Sequence, residues 1–166
     1  MTAEAIIRKL ELIPHPEGGY YKETYRSAES IPVQGLPGRF KGQRSFSTSI
    51  YYLLQQGDFS AFHRIKSDEC WHFYAGGPLL VHMIRLSGEY SVTKLGSDLS
   101  KDEVFQFVVP AGSWFGSEPA PGSRFSLVGC TVAPGFDFQD FEIAGKEDLL
   151  NQFPRYREII SRMCRS

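Results

Sequence analysis

The stretch from Gly57 to Gly77, GDFSAFHRIKSDECWHFYAGG, gathers His63, Asp68, Glu69, Cys70, Trp71 and His72 into a run that otherwise reads as strands and turns. Three kinds of chemistry fit these residue types. Histidine and glutamate ligate transition metals, and a catalytic metal takes about three protein ligands with one open position. A histidine near neutral pH, oriented by a carboxylate, moves protons without a metal. The inert alternative is a packed, hydrogen-bonded core histidine. Strand alternation sorts the stretch by face. If His63 points into a barrel, so do Ala61 and Ile65. After the KSD turn, Glu69, Trp71 and Phe73 share one face and Cys70, His72 and Tyr74 the other. We therefore expect His63 and Glu69 on one internal cavity, Trp71 and Phe73 as its apolar wall, and His72 outside.

Two further segments carry residues with chemical potential. In HPEGGYY, Pro14, Pro16, Gly18 and Gly19 suit a turn before an edge strand. His15, Glu17 and Tyr20 are not explained by a turn alone, so Glu17 and Tyr20 are expected at the cavity mouth, with Tyr21 the alternative tyrosine. In PGFDFQDFEIA, alternation gathers Phe136, Phe138 and Phe141, and leaves Asp137, Asp140 and Glu142 toward solvent.

These residues need a scaffold. YYKETYR, RSFSTSIYYLL, FSAFHRIK, ECWHFYA, PLLVHMIRL, EYSVTKLG, VFQFVVP and RFSLVGCTVAPGF read as strands separated by turn signals such as QQGD, AGGP, LSGE, PAGS and PAPGS. Many short strands at near-regular spacing indicate a barrel or sandwich rather than an alternating βαβ order. Thr2 caps a helix predicted to about Leu12, burying Ile6, Ile7 and Leu10, and Pro14 forbids its continuation. Ser27 to Gln43 reads as loop. KEDLLNQFPRYREIISRMCR closes the chain as helical turns interrupted by Pro154. No repeat or linker divides the 166 residues, which are read as one domain.

Bulk properties exclude several classes. Net charge is −1, without a basic run or acidic tail, so nothing favours nucleic acid or membrane as partner. No apolar run reaches the ~18 residues of a membrane span, and MTAEAIIRKLEL lacks the plan of a signal peptide. The three cysteines, Cys70, Cys130 and Cys164, are widely spaced and form no zinc-type pair or disulfide framework. A cytoplasmic location is expected. Aromatics make up 14% of the chain, which suits an aromatic-lined cavity.

Gly57, His63, Glu69 and Gly76 match the spacing of the first motif of the cupin superfamily, and Pro110 and Gly112 in VPAGSWF resemble its second. HPEGGYYKETYRS, SDECWHFYAGGPLL and LVGCTVAPGFDFQDFEIA are similar to the cupin branch called domain of unknown function 985. The resemblance covers roughly Leu10 to Phe153. It implies an all-β fold, the double-stranded β-helix or jelly-roll barrel, with short helices at both ends here, and commonly a homodimer. It implies no particular reaction. Two metal-ligand positions of the family pattern depart: Ile65 stands for the second histidine of the first motif and Phe115 for the histidine of the second.

Three functions remain open. His63, Glu69 and an inward His82 make an incomplete metal set, so neither metal nor other cofactor is expected. Some cupins, the sugar-nucleotide epimerases of the rhamnose pathway, work without metal through a histidine base and a tyrosine acid. Here His63 with Glu69 or Asp68 would be the base pair and Tyr20, Tyr21, Tyr52 or Tyr74 the acid, with Arg44, Arg64 or Lys66 near phosphate. In the third reading the barrel binds a small molecule, a sugar, nucleotide or nucleotide-sugar, in an apolar pocket walled by Trp71, Phe73 and Phe115, and no bond changes. The discriminating observation is whether His63 and a carboxylate meet inside an open cavity or are sealed by aromatics.

Overall fold

A computed structural model describes residues 1–165 of the chain. Its strands are β1 (Ile13–Pro14), β2 (Tyr20–Arg26), β3 (Ser30–Ile31), β4 (Arg44–Ser45), β5 (Thr48–Gln55), β6 (Ser60–Arg64), β7 (Asp68–Gly76), β8 (Leu79–Ile84), β9 (Tyr90–Leu95), β10 (Gln106–Val109), β11 (Trp114–Pro119), β12 (Phe125–Ala133) and β13 (Glu142–Ile143). The helices are α1 (Ala3–Leu10), α2 (Lys146–Gln152) and α3 (Arg157–Met163). Two antiparallel sheets face each other, ordered β1-β2-β5-β12-β7-β10 and β13-β6-β11-β8-β9, with β3-β4 a small separate ribbon. This is the jelly-roll arrangement that the strand spacing and the cupin motifs predict.

Alternation builds the layers. Tyr52, Leu54, Trp71, Val128 and Cys130 of the larger sheet meet Val81, Met83 and Phe115 of the smaller one in the central core. The residues between them face outward. Leu53 and Leu127 of the larger sheet pack under α1 through Ala3 and Ile6, and Phe62, Ile84 and Trp114 of the smaller sheet pack under α2 and α3 through Leu149, Ile160 and Met163. Each large side chain so buried contributes roughly 1.5–3 kcal/mol, so α1 is tied to the outer face of the larger sheet and α2 and α3 to that of the smaller.

Two local readings are corrected and one strand is added. Trp114–Pro119, left unassigned between the PAGS and PAPGS turns, is the central strand of the smaller sheet. Gly116 is required there, because a Cβ would lie 2.8 Å from the Ser60 carbonyl oxygen of the adjoining strand. Helix α1 ends at Leu10, two residues short, because Glu11 takes a left-handed conformation with φ 55°. The segment Ser27–Gln43 is not all loop: it contains β3 and a single 3₁₀ turn.

Candidate functional site

The open end of the barrel holds a cavity of about 650 Å³. Its floor is polar: His63 from β6, Glu69 from β7, Cys130 from β12, and His15 and Glu17 from the segment between β1 and β2. Its walls are Ile13, Tyr21, Ile50, Ile65, Val132, Phe136, Phe138 and Phe141.

Strand register explains which side chains arrive. Phe115 pairs with His63 across β11 and β6, and Trp71 pairs with Cys130 across β7 and β12. Both histidine and thiol therefore face the interior, and Glu69, two residues before Trp71, shares its side. His72 points the other way, where it meets the Thr131 hydroxyl at 3.2 Å.

His63 is held at both nitrogens. Nδ1 donates to the Ala61 carbonyl at 2.7 Å, so Nε2 is the ring atom presented to the cavity. Glu17 Oε2 lies 3.0 Å from Nε2 but off the axis of the N–H, so this buried oxygen has no well-aligned hydrogen bond. The ring also lies 4.1 Å, centroid to centroid, from Phe115. Glu17 is 5% exposed and His63 3% exposed, so their attraction is little screened by water.

The electrostatics follow from burial and this pairing. Burial pushes the His63 imidazolium down, but the charge of the Glu17 carboxylate 3.0 Å away outweighs burial and holds His63 above its usual value. Burial pushes Glu17 up, yet chiefly the charge of His63 leaves it below the carboxylate norm. Both shifts favour the imidazolium–carboxylate form of the pair. For Glu69 the balance falls the other way. Burial outweighs the pull of the His63 charge and, with the repulsion of Glu17 added, raises it from 4.5 to about 7. Burial likewise keeps the Cys130 thiol protonated, well above its ordinary value. His15 is depressed, chiefly by burial, and its Nδ1 accepts from the Glu17 N–H at 3.2 Å. A neutral ring with its proton on Nε2 satisfies both observations. The floor therefore combines a protonated imidazole, a carboxyl that titrates near neutrality and a neutral imidazole.

The remaining expected residues lie elsewhere. Tyr20 faces outward, against the cluster under α1, because β2 pairs Tyr20 with the outward Leu53 and Tyr21 with the inward Tyr52. Tyr21 is the tyrosine at the mouth. Trp71 and Phe115 are fully buried beneath the floor, edge to face at 6.1 Å, and Phe73 packs on the same core further along β7. These three support the floor without lining the cavity. His82 alternates to the outer face, where it bonds the Tyr90 hydroxyl at 2.8 Å and Glu118 at 2.9 Å. Tyr74 is exposed on the outer face, and the buried Tyr52 hydroxyl donates to the Gly18 carbonyl.

The cations expected near phosphate are engaged too. Arg44 forms a buried two-pronged pair with Asp140 at 2.7 and 2.8 Å, Arg64 pairs with Glu142, and Lys66 approaches Asp140. Asp140 is thus a core residue rather than a solvent-facing one. The carboxylate that orients His63 is Glu17, not Glu69 or Asp68. HPEGGYY carried a signal for this, since His15 and Glu17 exceed what a turn needs.

The donor set does not fit a transition metal, because apolar Ile65 and Phe115 occupy two family ligand positions. Among the described residues, no three His, Cys, Asp or Glu side chains are placed to hold a metal ion.

Comparison with known proteins agrees with this architecture. A family model described as Cupin superfamily (DUF985) matches residues 4–144. A Saccharomyces cerevisiae protein, "Uncharacterized protein YML079W", is 35% identical over 158 residues, spanning 90% of this chain and 78% of its own. A hypothetical protein from Leishmania major is 36% identical, with TM-score 0.90 and all of both chains covered. Protein SO0799 from Shewanella oneidensis is 41% identical, with TM-score 0.89 over 99% of this chain and 98% of that one. Oxalate decarboxylase from Bacillus subtilis is 18% identical, with TM-score 0.56 over 90% of this chain and 36% of that one, a likeness of fold alone.

Proposed function

This chain belongs to the cupin superfamily, in its DUF985 branch, and from that premise we propose that it is a metal-independent enzyme that moves a proton next to a carbonyl group. The observation that carries the reading is the meeting of His63 and Glu17 at 3.0 Å on the floor of an open cavity that Glu69 also lines. Aromatics frame this floor without sealing it, which favours chemistry over a passive pocket.

The roles follow from protonation. Glu69, with a value of about 7, is half ionised at neutral pH and is the base. His63, kept charged by Glu17, is the acid, the reverse of the base role that its residue type first suggests. Glu69 takes the proton from the carbon beside the substrate carbonyl as Nε2 of His63 protonates the carbonyl oxygen. The C–H electron pair becomes the C=C bond of an enediol. Glu69 then returns its proton to the neighbouring carbon while the adjacent hydroxyl gives a proton back to His63, and an isomer leaves. The Nε2–H of His15 is a further donor for the same oxygen.

The substrate class is a sugar or related hydroxy-carbonyl compound. A cavity of about 650 Å³ admits a hexose, and Tyr21, Phe136, Phe138 and Phe141 offer ring faces to its C–H side. The lining cations are already engaged: Lys22 with Glu11, and Arg26 with Glu23 and the Phe136 carbonyl. That favours an uncharged sugar over a nucleotide-sugar. We further propose a homodimer, in which the β2 edge beyond Tyr21, paired on one side only, joins a second copy. No helix among the described residues is long and apolar enough to cross a membrane. We place the protein in the cytoplasm, which suits its free thiols.

The test is isotope exchange. Aldoses, ketoses and nucleotide-sugars are incubated with the protein in D₂O and followed by NMR. Deuterium entering the carbon beside the carbonyl of an uncharged sugar, lost in Glu69→Gln and in His63→Ala, is expected. Exchange that persists in Glu69→Gln, or no exchange across the whole panel, overturns the reading.

A further inference from the structure

Every backbone polar group of Glu17, Gly18 and Gly19 is hydrogen-bonded. Glu17 N–H donates to His15 Nδ1 at 3.2 Å, and Glu17 C=O accepts from Ala61 N–H at 2.9 Å. Gly18 N–H donates to the His15 carbonyl at 3.1 Å, and Gly18 C=O accepts from the Tyr52 hydroxyl. Gly19 N–H donates to Asp58 Oδ2 at 3.0 Å, and Gly19 C=O accepts from His15 N–H at 2.9 Å. A turn needs one or two such bonds; this one is fixed at six points, three within the turn through His15 and three by Tyr52, Asp58 and Ala61, distant in sequence.

One of those residues is tied down in turn by the end of the chain. Nη2 of Arg165 donates to Phe59 C=O at 2.8 Å, and reaches Asp58 Oδ1 at 3.3 Å and Glu17 C=O at 3.4 Å. Its guanidinium lies 4.2 Å from the centre of the Phe59 ring. The fit is close: at Gly18, whose φ is +115°, a Cβ would fall 2.1 Å from the Phe59 carbonyl oxygen and 2.4 Å from Arg165 Nη2.

We propose that Asp58 and Arg165 are positioning residues that hold the Glu17 backbone, and with it the Glu17 carboxylate, against His63, although neither side chain meets His63 itself. The reasoning is geometric. Glu17 sits on a loop rather than a strand, and a loop keeps a carboxylate within ion-pair distance only if its backbone is over-determined. Removing the Gly19–Asp58 bond, or the Arg165 bridge, loosens the segment between His15 and Tyr20. The Glu17 carboxylate then spends less time against His63, and His63 loses part of the attraction that keeps it charged. This rests on the Glu17–His63 pairing and not on any substrate, so it survives if the proton-transfer reading fails.

The test reads the His63 ring directly. Imidazole nitrogen signals are followed by ¹H–¹⁵N NMR across pH in the full chain, for wild type, Asp58→Asn, Arg165→Ala and Arg165→Lys. Lys101→Ala serves as control, since this exposed cation pairs with Asp98 outside the cavity. The titratable groups around His63 are Glu17, Glu69 and His15, and none of them is altered in these variants. Asp58→Asn and Arg165→Ala are expected to lower the His63 titration midpoint by about half a pH unit or more, as an opposite charge withdraws. Arg165→Lys should restore part of the shift, and Lys101→Ala should leave it unmoved. If Arg165→Ala fails to fold, the near-isosteric Asp58→Asn decides. A His63 midpoint unchanged in Asp58→Asn, or moved equally by Lys101→Ala, overturns the proposal. A shifted midpoint without isotope exchange on any sugar would leave the positioning role standing and remove the enzymatic reading.

Discussion

Glu69→Gln should make the protein more stable at pH 8 than wild type by a margin absent at pH 4. Glu69 titrates near 7 in the folded chain and near 4.5 when free of the fold. The difference of about 2.5 pH units, at about 1.4 kcal/mol each, corresponds to about 3 kcal/mol. Because the folded value is the raised one, the folded state binds this proton more tightly than the unfolded state. Glu69 therefore adds nothing unfavourable below about pH 4.5, where both states hold the proton. Between 4.5 and 7 only the folded state holds it, and wild-type stability falls with rising pH. Above 7 the loss levels off. Glutamine keeps the shape and never ionises, so subtracting the two stability curves cancels the other titrating groups. Urea unfolding at unit pH steps from 4 to 8 measures the gap. We expect it to open by about 3 kcal/mol in favour of Glu69→Gln, mostly between pH 5 and 7. A gap constant within about 1 kcal/mol, or one that opens in favour of wild type, would refute the assignment of Glu69 as a buried carboxyl with a raised value.

Glu17→Gln removes the charge that keeps His63 protonated, so turnover or exchange should lose its high-pH side first, the descending limb moving to lower pH as His63 falls toward or below its ordinary value. Arg44→Ala strands the buried Asp140 carboxylate and should cost roughly 3–5 kcal/mol in chemical unfolding, whereas Arg64→Ala, at a half-exposed pair, should cost no more than about 1 kcal/mol. Phe138→Ala removes one ring face from the mouth and should weaken binding of a cavity ligand by about fivefold, a loss of about 1 kcal/mol by calorimetric titration, with the melting temperature little changed. Sedimentation equilibrium at micromolar concentration should give twice the chain mass, and a single-chain mass would dispose of the dimer.

Periodicity made much of the barrel legible, because a two-residue period assigns faces without knowledge of partners. It placed His63, Glu69, Trp71 and Phe73 inward and His72 outward. It could not tell lining from support: Trp71 and Phe115 point inward but lie a layer below the cavity, and depth is decided by how strands stack. Tyr20 and Tyr21 differ by one residue, and only the pairing of Tyr21 with Tyr52 fixes which of them turns in. Glu17 was visible as a residue too many for its turn, yet its partner lies 46 positions away and no local pattern links them. Asp140 looked solvent-facing because its cation, Arg44, is 96 residues distant. Strand β11 was hidden by Gly116, a residue that weakens a strand by propensity and is needed there because a neighbouring backbone leaves no room for a side chain.

The loop bearing Glu17 is bonded to Arg165 across 148 residues, and its carboxylate meets a histidine from the middle of the chain. Closing contacts between parts so remote carries a chain-entropy cost that local turns do not bear, so such contacts come late in folding. The barrel can thus exist before its site does. The same ordering governs opening. The core under Trp71, Tyr52 and Phe115 is the most deeply buried part of the molecule, while Arg165 is exposed, and a contact made by an exposed group opens at less cost than a buried core. A brief detachment of the Arg165 side chain would loosen the loop that holds the Glu17–His63 pair and leave the two sheets intact. In such a molecule the lifetime of the competent site is a property of the contacts around one loop, and global unfolding measurements alone would overstate it.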